Sequence, residues 1–265
     1  MTMGRLQGQV AWISGGTKGI GEGTAKLFAQ EGASVAVIGR SEKDGHRVVE
    51  EIANNGGKAI FIKCDVTKAD EVSKSIDVTM EAFGGLQILI NNAGIVDIKE
   101  LHEYSEEEWD QVMDINVKSM FLAFKYAFPF LKRNSKSYVV NIGSISSFVG
   151  QSGTPVYTTS KGAVLQLSRS IGLDYAKYGI RSNCVCPGIT DTPMLHKHLD
   201  TAPDPAAHLA ERLRRVPLGT ILTPTDVAKS ILFFSCEDSA GVTATSLIVD
   251  GGYLAAAEWD CAKCD

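Results

Sequence analysis

Seven short runs rich in valine and isoleucine recur along the 265 residues, at 10–14, 34–38, 59–62, 87–90, 138–142, 181–185 and 246–249. Their near-continuous apolar character is that of strands covered on both faces, since a strand with one wet face would alternate. Helix-length amphipathic segments separate them and carry start signals. Ser105 stands three residues before Glu108, and Thr67 three before Asp70. Thr223-Pro224-Thr225-Asp226 sets a cap, a first-turn proline and an acid at the positive end of a helix. Strand alternating with helix predicts a parallel sheet with helices on both faces. No linker-like or repetitive stretch divides the chain, so residues 1–265 are expected as one domain. The interval 190–222 offers no obvious strand and holds Pro193, Pro203, Pro205 and Pro217 with His196, His198 and His208. It reads as an insertion over that domain, a lid on its binding face.

Charge excludes several partners. Lys and Arg number 26 against 31 Asp and Glu, a net charge of −5, which argues against nucleic acid or an anionic membrane. No apolar run reaches the roughly 18 residues of a membrane span; the richest, 120–131, is broken by Lys125 and Pro129. The start Met1-Thr2-Met3-Gly4-Arg5 lacks the layout of a signal peptide. Cysteines scattered at 64, 184, 186, 236, 261 and 264 fit a reducing compartment, so a cytoplasmic location is expected. Cys184 and Cys186 flank Val185 as small core residues, Cys261-x-x-Cys264 reads as an incidental tail, and His196-x-His198 has no third ligand to make a metal site.

The first run ends in Ser14-Gly15-Gly16-Thr17-Lys18-Gly19-Ile20-Gly21, with a helix expected over 22–31. A helix start offers unpaired N–H groups and a partial positive charge to a phosphate. Glycines let the backbone approach a pyrophosphate and let the helix pack on the sheet. Placed between a first strand and a first helix, the loop points to a dinucleotide; without a Gly-Lys-Ser/Thr ending it is no triphosphate loop. After the second run comes Gly39-Arg40-Ser41. An NAD-selective site would hold an acid there, whereas Arg40 can pair with a 2′-phosphate and Lys18 could reach the same group. NADP(H) is the expected cofactor, and NAD(H) is the alternative that nearby Glu42 and Asp44 keep open.

Further motifs follow in order: Asp65-Val66, Asn91-Asn92-Ala93-Gly94, Asn116, Ser144, Tyr157-x-x-x-Lys161, and Pro187-Gly188 with Thr192. With the glycine loop, over about residues 5–254, the sequence resembles the short-chain dehydrogenase/reductase family in its single-domain form. Ser14 stands where that family often has threonine. The resemblance implies an α/β Rossmann-type doubly wound parallel sheet of about seven strands. It implies an oxidoreductase that moves a hydride between a nicotinamide and a ketone or secondary alcohol. It also implies a homotetramer, or a dimer, joined through helices near 117–131 and 158–178.

Tyr157 and Lys161 are four apart and share a helix face. Ser144 lies 13 residues before Tyr157, just past the fifth run, at the edge of the sheet where ligands bind. A tyrosine titrates near pH 10, so acting near neutrality requires a fall of about 3 units, or roughly 4 kcal/mol. One ammonium ~4 Å away supplies about 4 kcal/mol at an effective dielectric of 20. The resemblance implies that Tyr157 exchanges the proton, Ser144 stabilises the substrate oxygen, Lys161 lowers the tyrosine pKa and holds the nicotinamide ribose, and Asn116 anchors a water. It assigns Asp65, Val66, Asn92 and Gly94 to the adenosine. Pro187, Gly188, Ile189, Thr190 and Thr192 go to the nicotinamide. Ser146, Met194 and Leu195 are expected to face the substrate. Competing readings are an NAD-dependent catabolic dehydrogenase, a sugar-nucleotide epimerase, for which too little chain follows Cys186, and an inactive dinucleotide-binding module, which would not need all four of Asn116, Ser144, Tyr157 and Lys161.

Overall fold

Each of the seven apolar runs forms a strand: β1 Val10–Ser14, β2 Ser34–Gly39, β3 Lys58–Lys63, β4 Ile88–Asn91, β5 Ser137–Ile142, β6 Ile180–Pro187 and β7 Ser246–Val249. The computed structural model describes residues 4–256, so the Cys261/Cys264 tail lies outside the described residues. The strands pair in parallel in the order β3-β2-β1-β4-β5-β6-β7. β1, β4 and β5 are buried along their whole length, whereas the edge strands β3 and β7 are partly exposed. The runs at 59–62 and 246–249 are thus edge strands and not covered on both faces as their apolar character suggests, so apolarity marks the strands of this sheet without separating centre from edge.

Side chains alternate across the sheet and feed two cores. On one face Ala11, Ile13, Val35 and Val37 pack with Phe28 of helix α1 (Gly19–Gln30), Val48 of α2 (Glu42–Asn54) and Ile231 of α9 (Pro224–Phe234). On the other face Trp12, Ala36 and Leu89 pack with Ile76 of α3 (Ala69–Phe83), Phe124 of α5 (Ser119–Leu131) and Ile171 of α6 (Pro155–Asp174). The order turns back between β1 and β4, and their loops part at the carboxyl ends, opening the crevice in which such sheets bind ligands.

The start signals hold at two of three helices. Ser105 forms a capping box with Glu108 on α4 (Glu106–Met113), and Thr223 forms one with Asp226 on α9. Thr67 does not cap α3; its hydroxyl donates to Asp65 Oδ1 at 2.8 Å, and Lys68 takes the cap position with no side-chain bond. The interval 190–222 is not irregular either. It contains α7 (Pro193–Leu199) and α8 (Pro205–Leu213), its ends close through a bridge between Thr190 and Leu222, and Ile189, Leu195, Leu199 and Val216 form a small core of its own. Among the described residues no helix is long and apolar enough to cross a membrane.

Candidate active site

A cavity of about 450 Å³ opens over the carboxyl ends of the strands and is bounded on one side by α7 and α8. The glycine loop forms its floor. Gly19 sits at φ +56, where a Cβ would come within 3.1 Å of Thr192 Cγ2, so only glycine fits this start of α1. A Cβ on Gly21 would meet Gly15 O at 2.2 Å, which makes this glycine a packing requirement behind the cavity rather than part of its wall. The cap residue of α1, Lys18, makes no side-chain cap bond, a feature shared with α3, α5 and α6, but of these starts only that of α1 opens from the glycine loop that lines the cavity. The first N–H groups of α1 are thus left for a phosphate.

Of the residues expected at a cofactor, Gly15, Thr17, Lys18, Gly19, Ile20, Arg40, Asp65, Val66, Asn92 and Gly94 line this cavity, as do Pro187, Gly188, Ile189, Thr190 and Thr192. Ser14 does not. Its hydroxyl accepts from Asn92 N at 2.9 Å and Ala93 N at 3.1 Å, bracing the loop after β4 from behind. Asn92 Nδ2 in turn donates to Ser14 O and Gly15 O, both at 3.1 Å. Lys18 Nζ is paired with Asp44 at 2.9 Å, so the cation expected to assist Arg40 is engaged by the acid beside it. Arg40 is exposed at the end of β2. Burial raises the Asp65 carboxyl, but hydrogen bonds from Thr67 and the charge of Arg40 outweigh it and hold the group below its ordinary range. The uncapped helix start, the exposed guanidinium and a lining that runs from Arg40 and Asp65 to Ser144 and Tyr157 fit a dinucleotide.

Ser144, Tyr157 and Lys161 come together on the same wall. Ser144 ends the segment after β5 and accepts from Ser146 N at 3.1 Å, opening a short 3₁₀ turn, Ile145–Ser147. Tyr157 and Lys161 project from the first turns of α6. Lys161 is only 5% exposed; its Nζ donates to Ile142 O at 2.8 Å and stands 5.6 Å from the Tyr157 ring centroid. Burial brings Lys161 down to about 8. Burial also raises Tyr157, against the pull of a hydrogen bond with Ser144. Burial outweighs the Ser144 hydrogen bond at Tyr157, and the Lys161 ammonium is directed at the β5 carbonyl.

Asn116 sits behind this wall in a π-helical turn, Asp114–Lys118, a deformation that often accompanies functional sites. Its Nδ2 donates to Ile95 O and to Ser160 Oγ, both at 2.9 Å, and its Oδ1 accepts from Ile95 N at 2.8 Å. The side chain is thus committed to tying the loop after β4 to α6. Ser146 is turned away from the cavity: it is buried and its hydroxyl donates to Gln151 Oε1 at 2.9 Å, while Ile145 and Gln151 face the cavity instead. Met194 and Leu195 line the cavity from α7 as expected. Asp191 does not cap that helix; Thr192 does, and Asp191 pairs with His196 at 2.7 Å. Cys184 and Cys186 are buried with their sulfurs 3.6 Å apart.

Reasoning from residues missed Ile95, Val96, Ile145, Gln151, His198 and Arg212, all of which line the cavity. Gln151 lies in the segment before Tyr157, and Arg212 in the charged run 211–215, but no spacing marks either one.

Comparison with known proteins gives concordant results. The family model described as enoyl-(acyl carrier protein) reductase matches residues 15–254. An uncharacterized oxidoreductase of Thermotoga maritima is 40% identical over 251 residues, covering 94% of this chain and 99% of that protein. A cyclopentanol dehydrogenase of Comamonas sp. is 36% identical over 253 residues, covering 96% and 100%. A 2-(R)-hydroxypropyl-CoM dehydrogenase of Xanthobacter autotrophicus is 37% identical over 256 residues, covering 93% and 99%. Fold, motif order and these matches agree that the chain belongs to the short-chain dehydrogenase/reductase family and is an oxidoreductase.

Proposed function

We propose that the protein is an NADP(H)-dependent dehydrogenase or reductase that interconverts a secondary alcohol and a ketone, with Tyr157 as acid and base. The observation that carries this reading is the convergence of Ser144, Tyr157 and Lys161 on the cavity floored by the glycine loop. A bound nicotinamide would supply or receive the hydride, because no side chain can. Tyr157 moves the proton at its phenolic oxygen. Ser144 donates to the substrate oxygen as charge develops there. Lys161, with a pKa near 8, can leave Ile142 O, turn its ammonium to the nicotinamide ribose, and offset the burial that raises Tyr157. A water relay through Asn116 would use its main-chain carbonyl, since its side chain is engaged. The loops around Asp65, Asn92 and Pro187 hold the two ends of the cofactor, and α7 and α8 cover the reacting end against water.

Arg40 supports NADP: it lines the cavity and lies close enough to depress Asp65, whereas Lys18 is engaged by Asp44. NAD is the alternative. Relatives named for cyclopentanol and hydroxypropyl-CoM support a secondary alcohol as the substrate class. The test is a screen of secondary alcohols and ketones with both cofactors, followed on the nicotinamide absorbance, with Tyr157→Phe in parallel. Turnover of the variant should fall by at least the ~10²–10⁴-fold attributed to acid–base catalysis, with cofactor affinity retained. Undiminished turnover would remove Tyr157 from the chemistry.

A further inference from the structure

Arg212 lines the cavity from α8, next to His198 of α7, with Met194 and Leu195 of the same helix also in the lining. Its Nη1 is buried, and among the described residues it has no hydrogen-bond partner. Arg5, Arg47 and Arg181, by contrast, are all paired or hydrogen-bonded. Burial lowers the Arg212 pKa, and among the described residues only Tyr253 opposes it. The neighbours add to the imbalance. His208, one turn earlier on α8, stacks on His198 with ring centroids 6.1 Å apart. Burial and the charges of Arg212 and His208 all lower His198. Leu209 and Leu213 anchor the helix to Ile189, Leu195, Leu199 and Val216, so the guanidinium is not held by a drifting loop. A permanently charged group is costly to bury without a counter-charge, and Arg is the side chain best shaped to receive a carboxylate, sulfonate or phosphate in two parallel bonds.

We infer that Arg212 binds an anionic group of the substrate, which makes the substrate a hydroxy acid, a hydroxy sulfonate or a hydroxy phosphate, or the matching ketone, rather than a neutral alcohol. The inference rests on the dehydrogenase reading of the same cavity. The cofactor carries anions too, but its pyrophosphate has a cradle at the uncapped start of α1 and its 2′-phosphate has Arg40. Substrate selection then works through two contacts: Ser144 and Tyr157 at the reacting oxygen, and Arg212 at the far end.

The experiment compares β-hydroxybutyrate and γ-hydroxyvalerate with their neutral amides, using the intact protein and the Arg212→Gln and Arg212→Lys variants. A charge-assisted hydrogen bond corresponds to roughly 12- to 150-fold in affinity. The acid-over-amide preference in kcat/KM should fall by that factor in Arg212→Gln and return in part in Arg212→Lys. Equal loss on acids and amides would overturn the inference. So would weaker binding of reduced cofactor to Arg212→Gln in the absence of substrate, which would give the guanidinium to the cofactor. A second arm needs no turnover: calorimetric titration of the protein–cofactor complex with butanoate, butanesulfonate and butanamide. Binding of the two anions to the intact protein but not to Arg212→Gln upholds the anion site even if no alcohol is oxidised, in which case the dehydrogenase reading alone fails. Equal binding to both proteins, or none to either, overturns it.

Discussion

At Lys161 folding and catalysis pull in opposite directions. Burial brings Lys161 from its ordinary 10.5 down to about 8 in the folded chain. Between these values the unfolded chain binds the extra proton, so stability rises with pH across that window. Below it both states are protonated and the penalty is constant; above it both are neutral and the penalty is gone. The full effect is on the order of 3 kcal/mol. Denaturant melts of the cofactor-free protein and of Lys161→Met should therefore diverge between about pH 8 and pH 10.5, with the unmodified protein gaining on the variant by roughly that amount. A pH-independent difference would show that the ammonium is not buried as described. At Arg40 the expectation concerns selectivity. A charge-assisted bond of about 1.5–3 kcal/mol is worth roughly 12- to 150-fold, so Arg40→Asp should move preference from NADP toward NAD by at least that factor. An unmodified protein that already favours NAD would refute the assignment without mutagenesis.

Elements were legible where one local interaction decides them. Ser105 and Thr223 cap their helices because each hydroxyl accepts from the N–H three residues on and the acid at that position reaches back to the cap N–H. Thr67 has the same spacing, but Asp65 lies two residues before it and takes the hydroxyl first, a competition that spacing alone does not reveal. The interval 190–222 was harder still: its helices are 7 and 9 residues long, below the length at which periodicity is distinct, and they are held by contacts with Ile189 and Val216 rather than by their own propensity. Two expectations follow. Thr223→Ala should destabilise by about 1 kcal/mol through loss of the cap, seen in the unfolding midpoint. Hydrogen exchange across 190–222 should slow when cofactor and substrate bind, as α7 and α8 settle over the cavity together. Equal protection with and without ligands would make this segment a fixed wall, and protection that follows protein concentration would make it a subunit contact.

For the whole molecule, the parallel sheet with helices on both faces was legible because short apolar runs alternate with helix-length amphipathic segments, whereas the inward aim of Gln151 and Arg212 was not, since it depends on how loops from distant parts of the chain converge. What lies on the outside follows from the same packing. The inner faces of α5 and α6 are filled, yet Phe121 on α5 is 52% exposed and Leu173 on α6 is 71% exposed. Tyr178, just beyond α6, is 40% exposed and packs edge-on against Phe128. Large apolar groups gathered on adjacent helices are the surface that a symmetric assembly covers. The family resemblance assigns these same helices to the contacts of a homotetramer. The protein should therefore sediment at micromolar concentration as a species of several chains, with four the expected number. If this face is the contact, Phe121→Glu combined with Leu173→Glu sets like charges across it, so assembly should shift to smaller species at unchanged helix content by circular dichroism. If the unmodified protein sediments as single chains, these residues are ordinary exposed surface; if the double variant still assembles fully, the subunits meet elsewhere, and the next face to test is the β7 edge, where Leu247 and Ile248 are 36% and 41% exposed.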